Sequence, residues 1–222
     1  MLARFLLPTH VYVRRTEDGA IFLDLEKDKY FAIGAREVAC LDAGGTDAES
    51  VASELQGAGL LVQENGKPAI AVELPVPTSR LQITLGMEAR RLVRWLDVLR
   101  FTAALVKATY KLKCRSLSYA ARSVSKRKAK AIQRGHRWDE HRARRAAEIY
   151  VFLRAFAFTA TDKCLFDSLV LVEFLATYGQ FADWVIGVHT GPFEAHSWVQ
   201  KDAFVLNGPA EYVRTYAPIA AF

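Results

Sequence analysis

Lys163-Cys164-Leu165-Phe166-Asp167-Ser168-Leu169-Val170-Leu171, then Trp184-Val185-Ile186-Gly187-Val188-His189, then Pro192-Phe193-Glu194-Ala195-His196-Ser197-Trp198-Val199, are the blocks on which the reading of this chain turns. In the first, Leu165, Leu169, Val172, Leu175 and Ala176 recur at helical spacing up to Gly179, and Thr161-Asp162-Lys163 precede them, so Cys164 falls in the first turn of a helix. Phe181 to Val188 is apolar and rich in β-formers. After the turn His189-Thr190-Gly191-Pro192, the stretch Ala195 to Val199 reads as a second strand, and after Lys201-Asp202-Ala203 the chain returns as Phe204 to Asn207.

A helix start presents unpaired amide hydrogens and a partial positive charge, which favour a thiolate and can receive a developing oxyanion. Cys164 is therefore a candidate nucleophile and His196 a candidate base, and such a pair needs a third group to orient the imidazole. Residues directly opposite in a hairpin share a face of the sheet. A two-residue loop, Lys201-Asp202, sets His196 opposite Asn207; a three-residue loop, Lys201 to Ala203, sets it opposite Gly208. A cysteine on a helix, a histidine on a following strand and a polar residue on the next is the order of papain-like and transglutaminase-like folds.

The N-terminal part has a different grammar. Val11 to Arg15, Ala20 to Leu25 and Lys29 to Ile33 alternate as three short strands, with Glu17-Asp18-Gly19 and Lys27-Asp28 as turns. Val38 and Leu41 begin helical spacing; Gly44-Gly45 interrupts it; Thr46 opens a second helix through Val51 and Leu55; and Leu60-Leu61-Val62 reads as a wing strand. The expectation is a winged-helix module over residues 1–78, closed by Pro68, Pro75 and Pro77, and an α+β domain over 79–222. In the second domain Leu92, Trp95, Leu96, Leu99, Ala103 and Val106 mark an amphipathic helix, and Trp138 to Phe158 resumes helical spacing through Ile149, Phe152, Leu153 and Phe156.

With 51% apolar residues among 222, disorder is not the default. The apolar runs are broken by charges well short of the ~20 residues of a membrane span. No secretory signal opens the chain, so a cytoplasmic location with no membrane partner is expected. Cys40, Cys114 and Cys164 are too few and too scattered for a disulfide framework, and none forms a zinc pattern. Residues 111–145 hold thirteen Lys or Arg against two acids, a local +11 within a chain of net +6, which leaves the remainder at −5. Such a segment is a solvated helical surface or a local contact surface.

The quoted C-terminal blocks closely resemble the transglutaminase-like leader peptidases of lasso-peptide biosynthesis. Asp28-Lys29-Tyr30-Phe31-Ala32-Ile33-Gly34 and Leu60-Leu61-Val62 resemble the precursor-recognition module usually paired with them. The resemblance implies a cysteine peptidase that takes the leader off a ribosomal precursor peptide, so that an asparagine-synthetase-like cyclase can close the macrolactam; it implies no cofactor and no metal. By position Cys164 matches the nucleophile and His196 the base. Relatives carry Asp where this chain has Gly208, so Asn207 substitutes through a shifted register, or Asp202 turns inward, or the pair works as a dyad; Asn207 is the favoured third member. The leader is expected to add as a strand along Lys29, Tyr30, Phe31, Ala32 and Ile33, with Val51 and Leu55 completing the groove. Trp198 either packs the sheet or walls the substrate cleft.

Against this stand blander readings: a packed cysteine at 164, a hydrogen-bonded strand histidine at 196, surface positions for His10, His136 and His141, and no metal site at His189 for want of further ligands. A winged-helix nucleic-acid- or peptide-binding protein without catalysis is the rival class. Its second helix carries Glu49 and Glu54 and no Lys or Arg, an arrangement that phosphates repel. Acyl transfer from glutamine is the rival within enzymes.

Overall fold

The computed structural model describes residues 5–80, 93–158 and 163–222; Leu92 and the Thr161-Asp162 pair of the readings above lie outside them. The fold mixes α and β in two compact units: residues 1–73 with 188–194 and 217–220, and residues 74–187 with 195–216 and 221–222.

In the first unit β2 (Val11–Thr16), β3 (Gly19–Asp24) and β4 (Lys29–Gly34) form an antiparallel sheet in that order, with β4 at an edge. The β2–β3 turn needs its glycine: Gly19 sits at φ +143°, and a Cβ there would lie 2.0 Å from the Ile33 carbonyl oxygen. After β3, the buried Asp24 carboxylate accepts the Glu26 and Lys27 amides at 2.9 and 3.0 Å. Burial pulls that carboxyl up, but these amides, His10 and Lys27 outweigh it and hold it below its usual value.

Helices α1 (Ala35–Ala43) and α2 (Thr46–Gly57) follow, and β1 (Leu6–Leu7) pairs with β5 (Lys67–Pro68). Leu7, Val11, Val13, Phe22, Val38, Leu41, Leu55, Leu60 and Leu61 make the core. The expected strand at Leu60-Leu61-Val62 shrinks to one bridge, Val62 to Leu6, because the Leu60 and Leu61 amides both close the end of α2 on the Leu55 carbonyl and their side chains enter the core.

The second unit holds most residues of a five-stranded sheet in the order β10-β7-β8-β9-β6: β6 (Ser79–Arg80), β7 (Asp183–Thr190), β8 (Phe193–Lys201), β9 (Phe204–Val205) and β10 (Ala217–Ala221). The end of the proline-rich boundary thus serves as its outer strand, parallel to β9. Its helices are α3 (Trp95–Thr109), α4 (Leu117–Gln133), α5 (Glu140–Arg154), α6 (Cys164–Thr177) and α7 (Ala210–Val213), with a π-helical turn, Tyr110–Cys114, after α3.

Helix α6 is apolar nearly all round and buried from Asp167 to Leu175, as a central helix must be. Its few polar groups are each satisfied. Glu173 takes Lys111 Nζ at 2.8 Å and Arg127 Nη1 at 2.5 Å, which fixes the π-turn and the basic helix α4 against it. Beyond its C-terminus the Tyr178 hydroxyl donates to Asp97 of α3 at 2.6 Å.

The face that α3 buries corrects the expectation. Asp97, Phe101, Ala104 and Ala108 turn inward, while Trp95, Leu96, Leu99 and Val106 are exposed. The alanines permit close approach to α6, and Asp97 is satisfied by Tyr178 and by the Arg94 amide at 2.9 Å.

Candidate active site

Cys164 is the first residue of α6, half-buried, and the N-cap residue Lys163 makes no side-chain cap. The first backbone bond of that helix runs from the Asp167 amide to the Lys163 carbonyl at 2.8 Å, so the three amides from Cys164 to Phe166 precede the intrahelical ladder. His196 lies on β8, half-buried in a box of rings. Trp198 is stacked beside it at 6.2 Å with planes 14° apart, Tyr212 stands edge-on at 5.1 Å, and Tyr216 is tilted at 5.2 Å. The Tyr212 and Tyr216 hydroxyls share a hydrogen bond of 2.7 Å.

The helix start and the strand are stitched together one turn from Cys164 and one residue from His196. Ser168 Oγ, one turn beyond Cys164, donates to the carbonyl of Ser197, the neighbour of His196, at 2.8 Å. Ser197 Oγ in turn accepts the Trp184 indole N–H at 2.9 Å and donates to the Val185 carbonyl at 3.0 Å on β7. A second knot lies alongside. Asp167, the acid of the first turn, accepts the Tyr150 hydroxyl at 2.7 Å and Arg154 Nη1 at 3.0 Å. Burial, and then the Asp167 charge, push the Tyr150 phenol well above its usual value, so it stays a donor.

Asn207 belongs to this knot. Its Oδ1 accepts the Val199 amide at 2.9 Å, and its Nδ2 donates to Asp167 Oδ2 and Ser168 Oγ, each at 3.0 Å. Those bonds fill the edge of β8 where β9 ends, and they run to Val199, Asp167 and Ser168, not to His196. The reason is register. Gln200 pairs with Val205 and Lys201 with Phe204 around a loop of Asp202 and Ala203, so neither register considered from the sequence is adopted. Lys201 continues the strand, and Asp202 accepts the left-handed turn conformation at φ +50°. Asp202 does not turn inward either: its side chain is 71% exposed beside Lys201. At Gly208 a Cβ would meet only Val213 Cγ2, at 3.9 Å, which leaves room for a side chain.

Trp198 is 1% exposed and packs with Val185, Val205 and Val213, which makes it a support under His196 rather than a cleft wall. A Cβ on Gly187 would come within 2.7 Å of its ring, so the glycine of β7 is what lets the indole lie there. In the first unit, Lys29 and Ala32 of edge strand β4 are exposed and Tyr30 is half-buried, while Phe31 and Ile33 pack on the core. Val51 sits at the margin of that core. Leu55 is 5% exposed and belongs to it, so it offers no groove surface.

The Asp167 knot and the ring box escaped the sequence reading. Asp167 and Ser168, two adjacent polar residues in an otherwise apolar helix, were the available signal for the first, since buried polar groups require partners. No three His, Cys, Asp or Glu side chains gather as metal ligands among the described residues, and no helix there is long and apolar enough to cross a membrane.

The profile of the transglutaminase-like superfamily matches residues 103–221, which include the helix bearing Cys164 and the strand bearing His196. The match spans just over half of the chain, and the chain belongs to that superfamily. Neither a curated protein nor a solved structure gave a match. The superfamily's chemistry is that of cysteine proteases and related acyl-transfer enzymes.

Proposed function

We propose that this protein is a cysteine peptidase that holds and removes the leader of a ribosomally made precursor in lasso-peptide biosynthesis, ahead of macrolactam closure by an asparagine-synthetase-like cyclase. The observation that carries the reading is the Ser168–Ser197 bond, which joins the residue one turn past Cys164 to the neighbour of His196 inside a transglutaminase-like domain.

In this reading the Cys164 sulfur, as thiolate, attacks the scissile carbonyl carbon, and the oxyanion that forms takes hydrogen bonds from the open amides at the start of α6. The C–N bond then breaks as protonated His196 passes its proton to the leaving amine. Water attacks the resulting thioester while His196 accepts the water's proton, the C–S bond breaks, and the acid fragment leaves. The ring box restricts the imidazole, and Asn207 acts one step removed, by fixing β8 and α6 to each other.

The N-terminal unit serves as the winged-helix-like recognition module. Edge strand β4 offers backbone donors and acceptors to an extended leader, with Lys29 and Ala32 at the surface. The exposed Asp47, Glu49 and Glu54 of α2 oppose a nucleic-acid partner.

The test is to incubate the purified chain with the precursor peptide encoded next to it and weigh the products. Two fragments whose masses sum to the precursor plus one water support the proposal. Loss of ammonia with gain of an amine would make it a transglutaminase, and an unchanged precursor that is nonetheless bound would leave a binding protein.

A further inference from the structure

We propose that the outward side of α3 is a docking surface for an acidic amphipathic helix of a partner protein. Trp95, Leu99 and Val106 are 69%, 55% and 63% exposed, and with Thr102 they recur at steps of four, three and four residues. That spacing sets them in one line, opposite the buried Asp97, Phe101, Ala104 and Ala108. Leu96 and Val98 flank the line, and Tyr110, at the head of the π-turn, extends it. Fifteen residues of helix give a seam about 22 Å long. Single exposed apolar residues are ordinary; several of them aligned on one helix face mark a contact surface.

The charge around the seam selects the occupant. From residue 93 to 116 the only acid is Asp97, which is buried, takes the Tyr178 hydroxyl and the Arg94 amide, and offsets part of the charge of Arg100 at 3.5 Å and Arg94 at 3.9 Å, so the stretch stays strongly positive. Arg94, Arg100, Lys107, Lys113 and Arg115 all reach the surface of the same stretch. A helix with an apolar seam and Glu or Asp along its margins matches both features. A second copy of this chain does not, because pairing two such seams brings cations onto cations. An anionic lipid surface would meet the charge, but Thr102 and Ala103 leave a notch midway along the row, which suits the interdigitating side chains of one helix better than the continuous bulky face of an interfacial helix.

The probe is a fluorescein-labelled three-heptad peptide with Leu at its seam positions and Glu at the flanking ones, whose mutual repulsion opposes its self-pairing; its control carries Lys for Glu. Fluorescence anisotropy with the full chain should show saturable binding, with a Kd on the order of micromolar, that weakens with salt. Binding should fall about tenfold or more for the Lys peptide, and by as much for the chain carrying Leu99→Glu and Val106→Glu. Both positions are exposed, and unchanged circular dichroism and melting would certify the fold. Equal binding of the two peptides, or full binding by the double variant, would overturn the proposal. So would self-association in sedimentation velocity that the double variant abolishes, or flotation with phosphatidylserine vesicles in the absence of peptide binding.

Discussion

Replacing Glu173 with Gln removes a negative charge from between two cations and opens no cavity. The carboxylate is wholly buried, with Lys111 9% and Arg127 30% exposed. Loss of one partner from a buried ion pair costs about 3–5 kcal/mol, because the remaining charge stays desolvated. Arg127 has a path to water, which puts the expected loss near the lower end, about 3 kcal/mol. At about 2–4 °C per kcal/mol for a domain of this size, the melting midpoint should drop by about 6–12 °C.

All four tryptophans, Trp95, Trp138, Trp184 and Trp198, lie in the second unit, so tryptophan fluorescence during urea or thermal unfolding reads that unit's transition separately from the first. Acid provides an internal check. Burial pulls the Glu173 carboxyl up, but Arg127 and Lys111 outweigh it and hold it below the ordinary 4.5. A depressed acid contributes stability that is fully present above its unfolded value and is lost as pH falls through the folded one. The gap between native protein and variant should therefore be complete at pH 7 and close below about pH 4. A loss under about 1 kcal/mol at neutral pH, or a gap that widens on acidification, would refute the account of how α6 is held.

The other predictions concern the surroundings of His196 and the edge strand. Gly187→Ala pushes a methyl group against the Trp198 ring and, through the stacking, against the imidazole; it should cost about 1–3 kcal/mol of stability and lower kcat/KM for precursor cleavage, and a fully active variant would separate the ring box from the chemistry. Gly208→Asp has room for its side chain and should raise kcat/KM about tenfold if a carboxylate improves the orientation of His196, whereas an unchanged rate would mean that the rings already suffice. Val51→Asp, at the margin of the N-terminal core, should weaken leader binding measured by anisotropy while a short leaderless peptide is still cleaved; equal loss of both would argue against a separate recognition module.

The strongest local patterns were the ones legible in advance. The alternation from Val11 to Ile33 became a three-stranded sheet with β4 at its edge, and the apolar run after Cys164 became a helix that starts at that residue. What failed did so where tertiary partners decide. The stripe through Trp95, Leu99 and Val106 has the spacing of a core face, yet the helix turned to bury Asp97 and two alanines, because Tyr178 and close approach to α6 reward that side. Leu55 reads with Val51 as an apolar contact of the groove beside β4, and it is core because the chain folds back at Leu60 onto its carbonyl. The third member of the site was the least legible. Hairpin register depends on which residues form the turn, and the turn falls on Asp202, left-handed, and Ala203, with Lys201 kept in the strand that both readings end at Gln200. Asn207 reads as the third member that orients His196, but its amide bonds run to Val199, Asp167 and Ser168.

The most direct measurement compares the native chain with Cys164→Ala against the full precursor, following leader binding by anisotropy and products by mass. The expected result is undiminished binding with no fragments from the variant, while the native chain converts the precursor fully. Continued cleavage by the variant, at anything near the native rate, would contradict a sulfur nucleophile at the start of α6.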